Sequence, residues 1–204
     1  MTRHNILVYL ARVHVPGGPQ RAVSLLSCEW AKTHQVTIVL DDAQPSVYPL
    51  GGEIYDLSAP ASSGLVMKLV RRIQRTIRLA RLIRQREFTH LIGFEERINF
   101  QLIIAASMAG ALRRTIASIH MPPVKEAWHI RVLLLLYHLP NRLVAVSAGI
   151  KQGLVDMGIS AGKIDLIFNP TPVPTNPTPP PPNLRVNIFW RWGGCRKKKG
   201  LTCC

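Results

Sequence analysis

Apolar residues recur along this chain in two patterns, short β-branched runs and longer stretches at helical spacing, and the two alternate. Ile6 to Ala11 is a short apolar run that leads into a Pro-Gly-Gly-Pro turn. Ala22, Val23, Leu25, Leu26 and Trp30 follow at near-helical spacing, which predicts strand, turn, helix. Val36 to Leu40 and, more weakly, Ile54 to Leu57 read as strands, and a long helix is predicted from Leu65 to Arg86. The same reading gives strand Thr89 to Phe94, helix Ile98 to Ala109, strand Thr115 to Ile119, helix Ala127 to Tyr137, strand Leu143 to Ser147, helix Ile150 to Met157 and strand Ile164 to Phe168. Strands that alternate with helices are joined by right-handed crossovers, which place helices against a parallel sheet. The expected fold is α/β: one Rossmann-like domain over residues 1–169, with a parallel sheet and helices on both faces.

The pattern stops after Asn169. Of the 16 prolines, eight fall between Pro170 and Pro182, and proline removes a backbone donor and disfavours helix in the residue before it. Residues 170–182 therefore read as a linker. Residues 183–204 hold six basic side chains, no acidic one and two of the four tryptophans, too short a piece to build a core. They read as an unstructured basic tail. Cys28 stands far from Cys195, Cys203 and Cys204, so no disulfide framework is legible, and the cysteine spacing matches no metal motif. No metal site and no cofactor are expected. No apolar run approaches the roughly 20 residues that a membrane helix needs, and the N-terminal run lacks a cleavage site. A cytoplasmic protein is expected.

Charge sharpens this picture in one place. Lys plus Arg number 26 against 11 Asp plus Glu, a net +15, and eight of the basic residues lie between Lys68 and Arg86, with only Glu87 beside them to offset the charge. On that helix Val66, Leu69, Val70, Ile73, Ile77 and Ala80 share one face, which is expected to pack on the sheet. Lys68, Arg71, Arg72, Arg75 and Arg78 gather on another and are expected to point outward. Such a face suits a pyrophosphate or an anionic lipid surface, unless it is simply a solvated face. Nucleic acid is disfavoured, because few aromatic residues accompany the cations for stacking.

In open parallel sheets ligands bind beyond the carboxyl ends of the strands, here the loops after Ala11, Phe94, Ile119 and Ser147. Gly17 and Gly18 in the first loop would let a backbone approach an anion at a helix start, or merely form a tight turn. Asp41 and Asp42 supply the acid that a dinucleotide fold places after its second strand, but the spaced glycines of that fold are missing, which leaves an oxidoreductase as the weaker alternative. His120 follows a strand end and could bond a sugar hydroxyl or steady developing charge, against the plainer reading of a structural histidine. Glu95 and Glu96 follow another strand end and could bond hydroxyls, or serve only solubility.

Five segments in order carry a resemblance: Gly17-Gly18-Pro19-Gln20-Arg21; Trp30 to Thr37; Gly93-Phe94-Glu95-Glu96-Arg97-Ile98-Asn99; Ile116 to His120; and Val144 to Leu154, continued from Gly158 through Lys163 to Pro170. In these the chain resembles the N-terminal domain of retaining glycosyltransferases of the GT-B fold, the large family that includes bacterial lipid-linked-oligosaccharide and polysaccharide transferases. The resemblance spans about Asn5 to Pro170. It implies a hexosyl transferase represented by its acceptor-binding half, with acceptor contacts at Gly17, Gly18, Arg21, Glu95 and Asn99 and a role for His120 at the sugar. It further implies a nucleotide-sugar donor held by a second domain, a lipid-linked or glycan acceptor, and peripheral contact of the basic helix with the inner face of the membrane. Pro19 and Gln20 depart from the Ala-Glu that the family often carries there.

The family's next element, an apolar strand with a Gly-Arg turn and a Lys-Gly pair, is absent as written. Codons allowed for Ile188 to Cys204 can be chosen so that a reading two bases later gives Ile-Leu-Ala-Val-Gly-Arg-Leu-Gln-Lys-Lys-Lys-Gly-Leu-Asp-Leu-Leu, a typical opening of that domain. The tail is accordingly expected to be an out-of-frame translation that leaves this half inactive alone, an expectation that the coding DNA would test.

Overall fold

The structure is a computed structural model that describes residues 3–58, 64–121 and 134–170. Seven strands form one parallel sheet in the order β3-β2-β1-β4-β5-β6-β7: β1 (Asn5–Arg12), β2 (Gln35–Asp42), β3 (Glu53–Asp56), β4 (His90–Phe94), β5 (Thr115–Ile119), β6 (Arg142–Ala145) and β7 (Ile164–Leu166). Among the described residues the helices α1 (Gly18–Trp30), α2 (Leu65–Gln85), α3 (Glu96–Met108) and α4 (Ala148–Asp156) lie in the connections between them, and residues 134–137 are also helical. β1 lies inside the sheet between β2 and β4, and its apolar run is buried on both faces, as parallel sheets require. Its even-numbered side chains Ile6, Val8 and Leu10 pack with Ala22 and Val23 of α1 and with Ile38 and Leu40 of β2. The odd-numbered Leu7 and Tyr9 pack with Leu79, Leu82 and Ile83 of α2 and Ile98 and Leu102 of α3. A third cluster joins Ile150 and Leu154 of α4 to Ala117, Ile119, Leu143 and Ala145. The α/β architecture with helices on both faces is as expected from the alternation.

The boundaries moved for local reasons. α1 begins at Gly18 rather than near Ala22, because Pro19 fits a first helical turn, where its missing N–H breaks no helical bond. α4 starts at Ala148, where Ser147 Oγ accepts the Ile150 N–H at 3.2 Å. β6 and β7 end before Ser147 and Phe168, and Ile167 and Phe168 are exposed. Of the helix expected from Ala127 to Tyr137, residues 134–137 are helical and 127–133 lie outside the described residues, as do the linker beyond Pro170 and the basic tail.

The larger correction concerns α2. Leu79, Ala80, Leu82 and Ile83 are buried, but Leu65, Val66, Leu69 and Ile73 are exposed rather than packed on the sheet. Its charged face divides as well. Arg75 turns inward, Arg84 bonds the Met108 carbonyl, and Arg86 makes a bidentate pair with Glu53 at 2.5 and 2.9 Å while lying over the Tyr55 ring.

Candidate functional site at the switch point of the sheet

β1, β2 and β3 run in one direction across the sheet from its centre, while β4 to β7 run in the other, so the order reverses between β1 and β4. The loops leaving these two strands open on opposite sides of a crevice, the place where such sheets bind ligands. From β1 comes the loop to Gly17, the N-cap of α1, whose carbonyl accepts the Arg21 N–H at 3.0 Å. A methyl on Gly18 would meet nothing within 4 Å, so the backbone there is open to approach. A methyl on Gly17 would come within 2.3 Å of Gln20 Oε1. Arg21 is exposed on the first turn of α1.

Gln20 closes the crevice floor. Buried at 7% exposure, it donates from Nε2 to Glu95 Oε1 at 3.0 Å and to the Arg12 carbonyl at 3.4 Å, which ties the β1 loop to the β4 loop. Glu95 caps α3 from a left-handed backbone (φ 80°), a conformation costly for a side chain-bearing residue, and strain of this kind clusters at functional sites. Burial pushes its carboxyl above the ordinary carboxylate range, while the Gln20 hydrogen bond, Arg12 and Arg97 act in the opposite direction.

One strand further on stands His120, directly after β5. Its Nε2 lies 3.0 Å from Ser118 Oγ, and its ring rests against Phe94 with centroids 5.4 Å apart. Burial alone lowers its pKa to about 4, so the imidazole is neutral at physiological pH. Nδ1 is buried with no hydrogen-bond partner among the described residues. If Ser118 donates to Nε2, then Nδ1 carries the proton and is an unmet donor; in the other tautomer it is an unmet acceptor.

Asn99 was expected at the acceptor. It is fully buried on α3, donating from Nδ2 to the Ser118 carbonyl at 2.8 Å, and its Oδ1 sits where a methyl on Gly93 would come within 2.4 Å. The Nδ2 bond ties α3 to β5. Gln20, Ser118 and Phe94 are participants that sequence reasoning did not assign to the site. Only Gln20 left a signal, as a departure from the motif.

At the neighbouring crest of β2 the polar groups are consumed internally. Asp41 accepts the Tyr9 hydroxyl at 2.6 Å and pairs with Arg75 at 3.5 Å, and Arg75 also bonds the carbonyls of Asp41 (3.2 Å) and Leu57 (3.3 Å). Burial and the Asp41 carboxylate together push the Tyr9 phenol up. Asp41 is thus unavailable to a ribose, and Arg75 does not stand outward. Lys68 and Arg72 are exposed, Arg71 is half-buried, and Arg78 reaches the Ser58 carbonyl at 3.5 Å. Among the described residues no group of three or more His, Cys, Asp and Glu is placed to hold a metal ion.

The profile of glycosyltransferase family 4 matches residues 16–175, a stretch that holds every residue of the crevice from Gly17 to His120. The chain belongs to glycosyltransferase family 4. Solved structures of glycosyltransferases share its fold at low identity. The lipopolysaccharide outer core galactosyltransferase WaaB, in its apo form, is 15% identical, with a TM-score of 0.66 over 88% of this chain and 49% of its own. HepE from Anabaena, solved with UDP and glucose, is 13% identical, with a TM-score of 0.64 over 82% of this chain and 45% of its own. The UDP-GlcNAc 2-epimerase of Neisseria meningitidis, bound to UDP-GlcNAc, aligns at 15% identity and a TM-score of 0.55 over 81% and 47%. Curated protein sequences give no match. The family 4 chain thus spans about half the length of these structures, and its sheet corresponds to one half of a GT-B fold.

Proposed function

We propose that this family 4 chain is the acceptor-binding half of a hexosyl transferase that uses a nucleotide sugar as donor and a lipid-linked or polysaccharide acceptor. The observation that carries the reading is the family match across residues 16–175, which contains the crevice residues from Gly17 to His120. In such a transfer the bond from the anomeric carbon to the diphosphate oxygen breaks. A bond from that carbon to the acceptor oxygen forms, and the acceptor's hydroxyl proton leaves with the departing nucleoside diphosphate. Catalysis requires groups that favour the oxocarbenium-like transition state over the bound ground state.

The residues of this half have definable parts in that scheme. His120 is kept neutral by burial, and its unmet Nδ1 would be satisfied by a sugar hydroxyl, which fixes the hexose in the crevice. Glu95, with one oxygen committed to Gln20, keeps the other for an acceptor hydroxyl. The open backbone at Gly18 and the exposed Arg21 flank the acceptor's entrance. Ser118 and Asn99 position His120 from beneath. The nucleotide is assigned to a second domain, so this half alone is inactive, working in the cytoplasm or against the inner leaflet.

The test is a panel of nucleotide sugars offered to the purified chain with a lipid-linked acceptor, in parallel with the same half joined to a donor domain. Transfer only by the joined form is expected. Turnover by the chain alone overturns the division of labour, and a joined form that folds, binds donor and still fails with every acceptor overturns the assignment.

A further inference from the structure

Three imidazoles meet at the edge of the sheet opposite the crevice. His4 stands before β1, His34 before β2, and His90 opens β4; the strand registers set Asn5 beside Gln35 and Ile6 beside His90. Side chains alternate along a strand, so all three rings lie on the α1 face, the face of Ile6, Val36 and Ile92. The His4 ring meets those of His34 and His90 edge to face, each pair with centroids 5.1 Å apart and interplanar angles of 72° and 82°. All three residues are half-buried, and the trio is not placed to hold a metal ion.

The trio straddles both seams of β1. On one side the His4 carbonyl accepts the Gln35 N–H at 2.9 Å. On the other, the Asn5 carbonyl accepts the Thr89 N–H at 2.8 Å, and Thr89 Oγ1, which receives the Asn5 N–H at 3.1 Å, lies 3.0 Å from His90 Nδ1. A charged imidazole donates from both nitrogens. His34 Nδ1 is buried with no hydrogen-bond partner among the described residues, so in the charged ring it is a donor with nothing to receive it. Nor does a counter-ion wait nearby: among the described residues no carboxylate lies within 4.0 Å of any of the three rings. The surrounding elements carry Arg3 before β1, the Lys32–Glu29 pair at the end of α1, and the Arg86–Glu53 pair and Glu87 before β4. Arg113 and Arg114 precede β5, and an Arg142–Asp165 pair joins β6 to β7. Cations thus outnumber carboxylates around the trio, and Glu29, Glu53 and Asp165 are already held by cations. Burial and the neighbouring His4 and His34 lower the His90 pKa, in keeping with that field.

We propose that His4, His34 and His90 act as one acid-sensitive latch: uncharged, they clamp the amino-terminal ends of β1, β2 and β4, and a second proton on the trio opens both seams while the crevice edge stays formed. Because the folded trio resists charging, its contribution to stability is lost as pH falls, from the ordinary histidine range near about 6.5 downward. His120 acts in the same sense at the other edge, so the latch is told apart by its place in the sheet. It goes beyond the transfer reaction and does not depend on it.

The test is amide hydrogen exchange on the full chain in EDTA, at pH 7.5 and pH 5.5, with each rate divided by the intrinsic rate at that pH. The Gln35 and Thr89 amides report the two seams, and the Leu57 and Asn99 amides, bonded to the Leu40 and Glu95 carbonyls, report the crevice edge. On acidification the seam amides are expected to lose at least about tenfold more protection than the crevice amides. In the His4→Gln/His34→Gln variant this difference is expected to vanish. The single variant His34→Gln, which keeps the test open if the double variant does not fold, is followed by the ring-proton resonances of His90. The titration midpoint of His90 is expected to move upward, since one neighbouring charge has been removed. Equal loss of protection at both edges, or none at either, overturns the latch. So does a difference that survives the double substitution, or a His90 midpoint that ignores His34→Gln.

Discussion

Two polar clusters crown the same edge of the sheet, separated by little more than one strand, and they are built to opposite ends. At β2, Asp41, Tyr9 and Arg75 meet one another's needs: the carboxylate has a phenol and a guanidinium, and the guanidinium has two carbonyls besides. At the β1–β4 crevice Gln20 and Glu95 are joined, but Glu95 is held in a strained backbone with its charge disfavoured by burial, and His120 keeps a buried nitrogen unmet. A closed cluster stabilises the fold, because buried polar groups that find partners cost little. An unsatisfied one is tolerable where a ligand completes it. The contrast separates the two strand-end carboxylates more sharply than residue type does, Asp41 being tied into the fold and Glu95 belonging to the proposed site.

If the contrast holds, the two clusters respond to mutation in different observables. The largest effect is expected for His120→Ala, which in the complete two-domain protein should lower kcat by roughly 10²–10⁴, the range for a positioned polar group, with little change in thermal stability. An unchanged kcat would place His120 with the structural cluster. Arg75→Met should do the converse. It leaves Asp41 partly buried with only the phenol, costing about 2–3 kcal/mol in urea unfolding, while acceptor affinity in the joined form is unaffected.

Gln20→Glu should cost about 1–2 kcal/mol at pH 8, because it sets a second carboxylate against Glu95. The folded pair then holds a proton more tightly than the unfolded chain does. The stability of this variant relative to the parent should therefore recover as pH falls through the ordinary carboxylate range, and a pH-independent deficit would argue against the contact. The smallest effect is in the parent's own pH dependence. With His120 lowered to about 4 against about 6.5 unfolded, the unfolded chain takes up the proton first as pH falls. Its contribution is complete above about pH 6.5 and drains away toward pH 4. His90, lowered by burial and by His4 and His34, acts in the same direction, whereas Glu95, raised, acts against it. Comparing parent with His120→Asn in urea melts at pH 7 and pH 5 isolates the histidine, with the parent losing more.

Most elements of the fold were legible because a buried parallel strand and an amphipathic helix each write their own period into the chain. What periodicity cannot report is where support beneath a helix ends. The stripe Leu65, Leu69, Ile73 looked as core-directed as Ala80 and Ile83, although only the latter have a sheet and α3 below them. Pairings across long separations were likewise hidden. Arg75 finds Asp41 at 34 residues and Gln20 finds Glu95 at 75. The crevice itself was foreseeable from the strand-end rule, which brought Gly17, Glu95 and His120 forward. Asn99 was carried along with its motif, and its bond to the Ser118 carbonyl 19 residues away could not be read from local sequence.

The switch point also sets an order of events during synthesis. β1, α1, β2 and β3 can begin to associate from nearby sequence, whereas β1 reaches β4 only after residue 90 has been made. Ribosomes add about 5–20 residues per second, so Gln20 and Glu95 are added roughly 4–15 s apart. Through that interval the open edge of β1 is a row of unpaired backbone groups beside an apolar run, the kind of surface that chaperones hold. The crevice where a sugar would lie comes together only after β4 has been made, later than the β1–β2–β3 side of the sheet, and until then the nascent chain is exposed to mispairing along the open edge of β1.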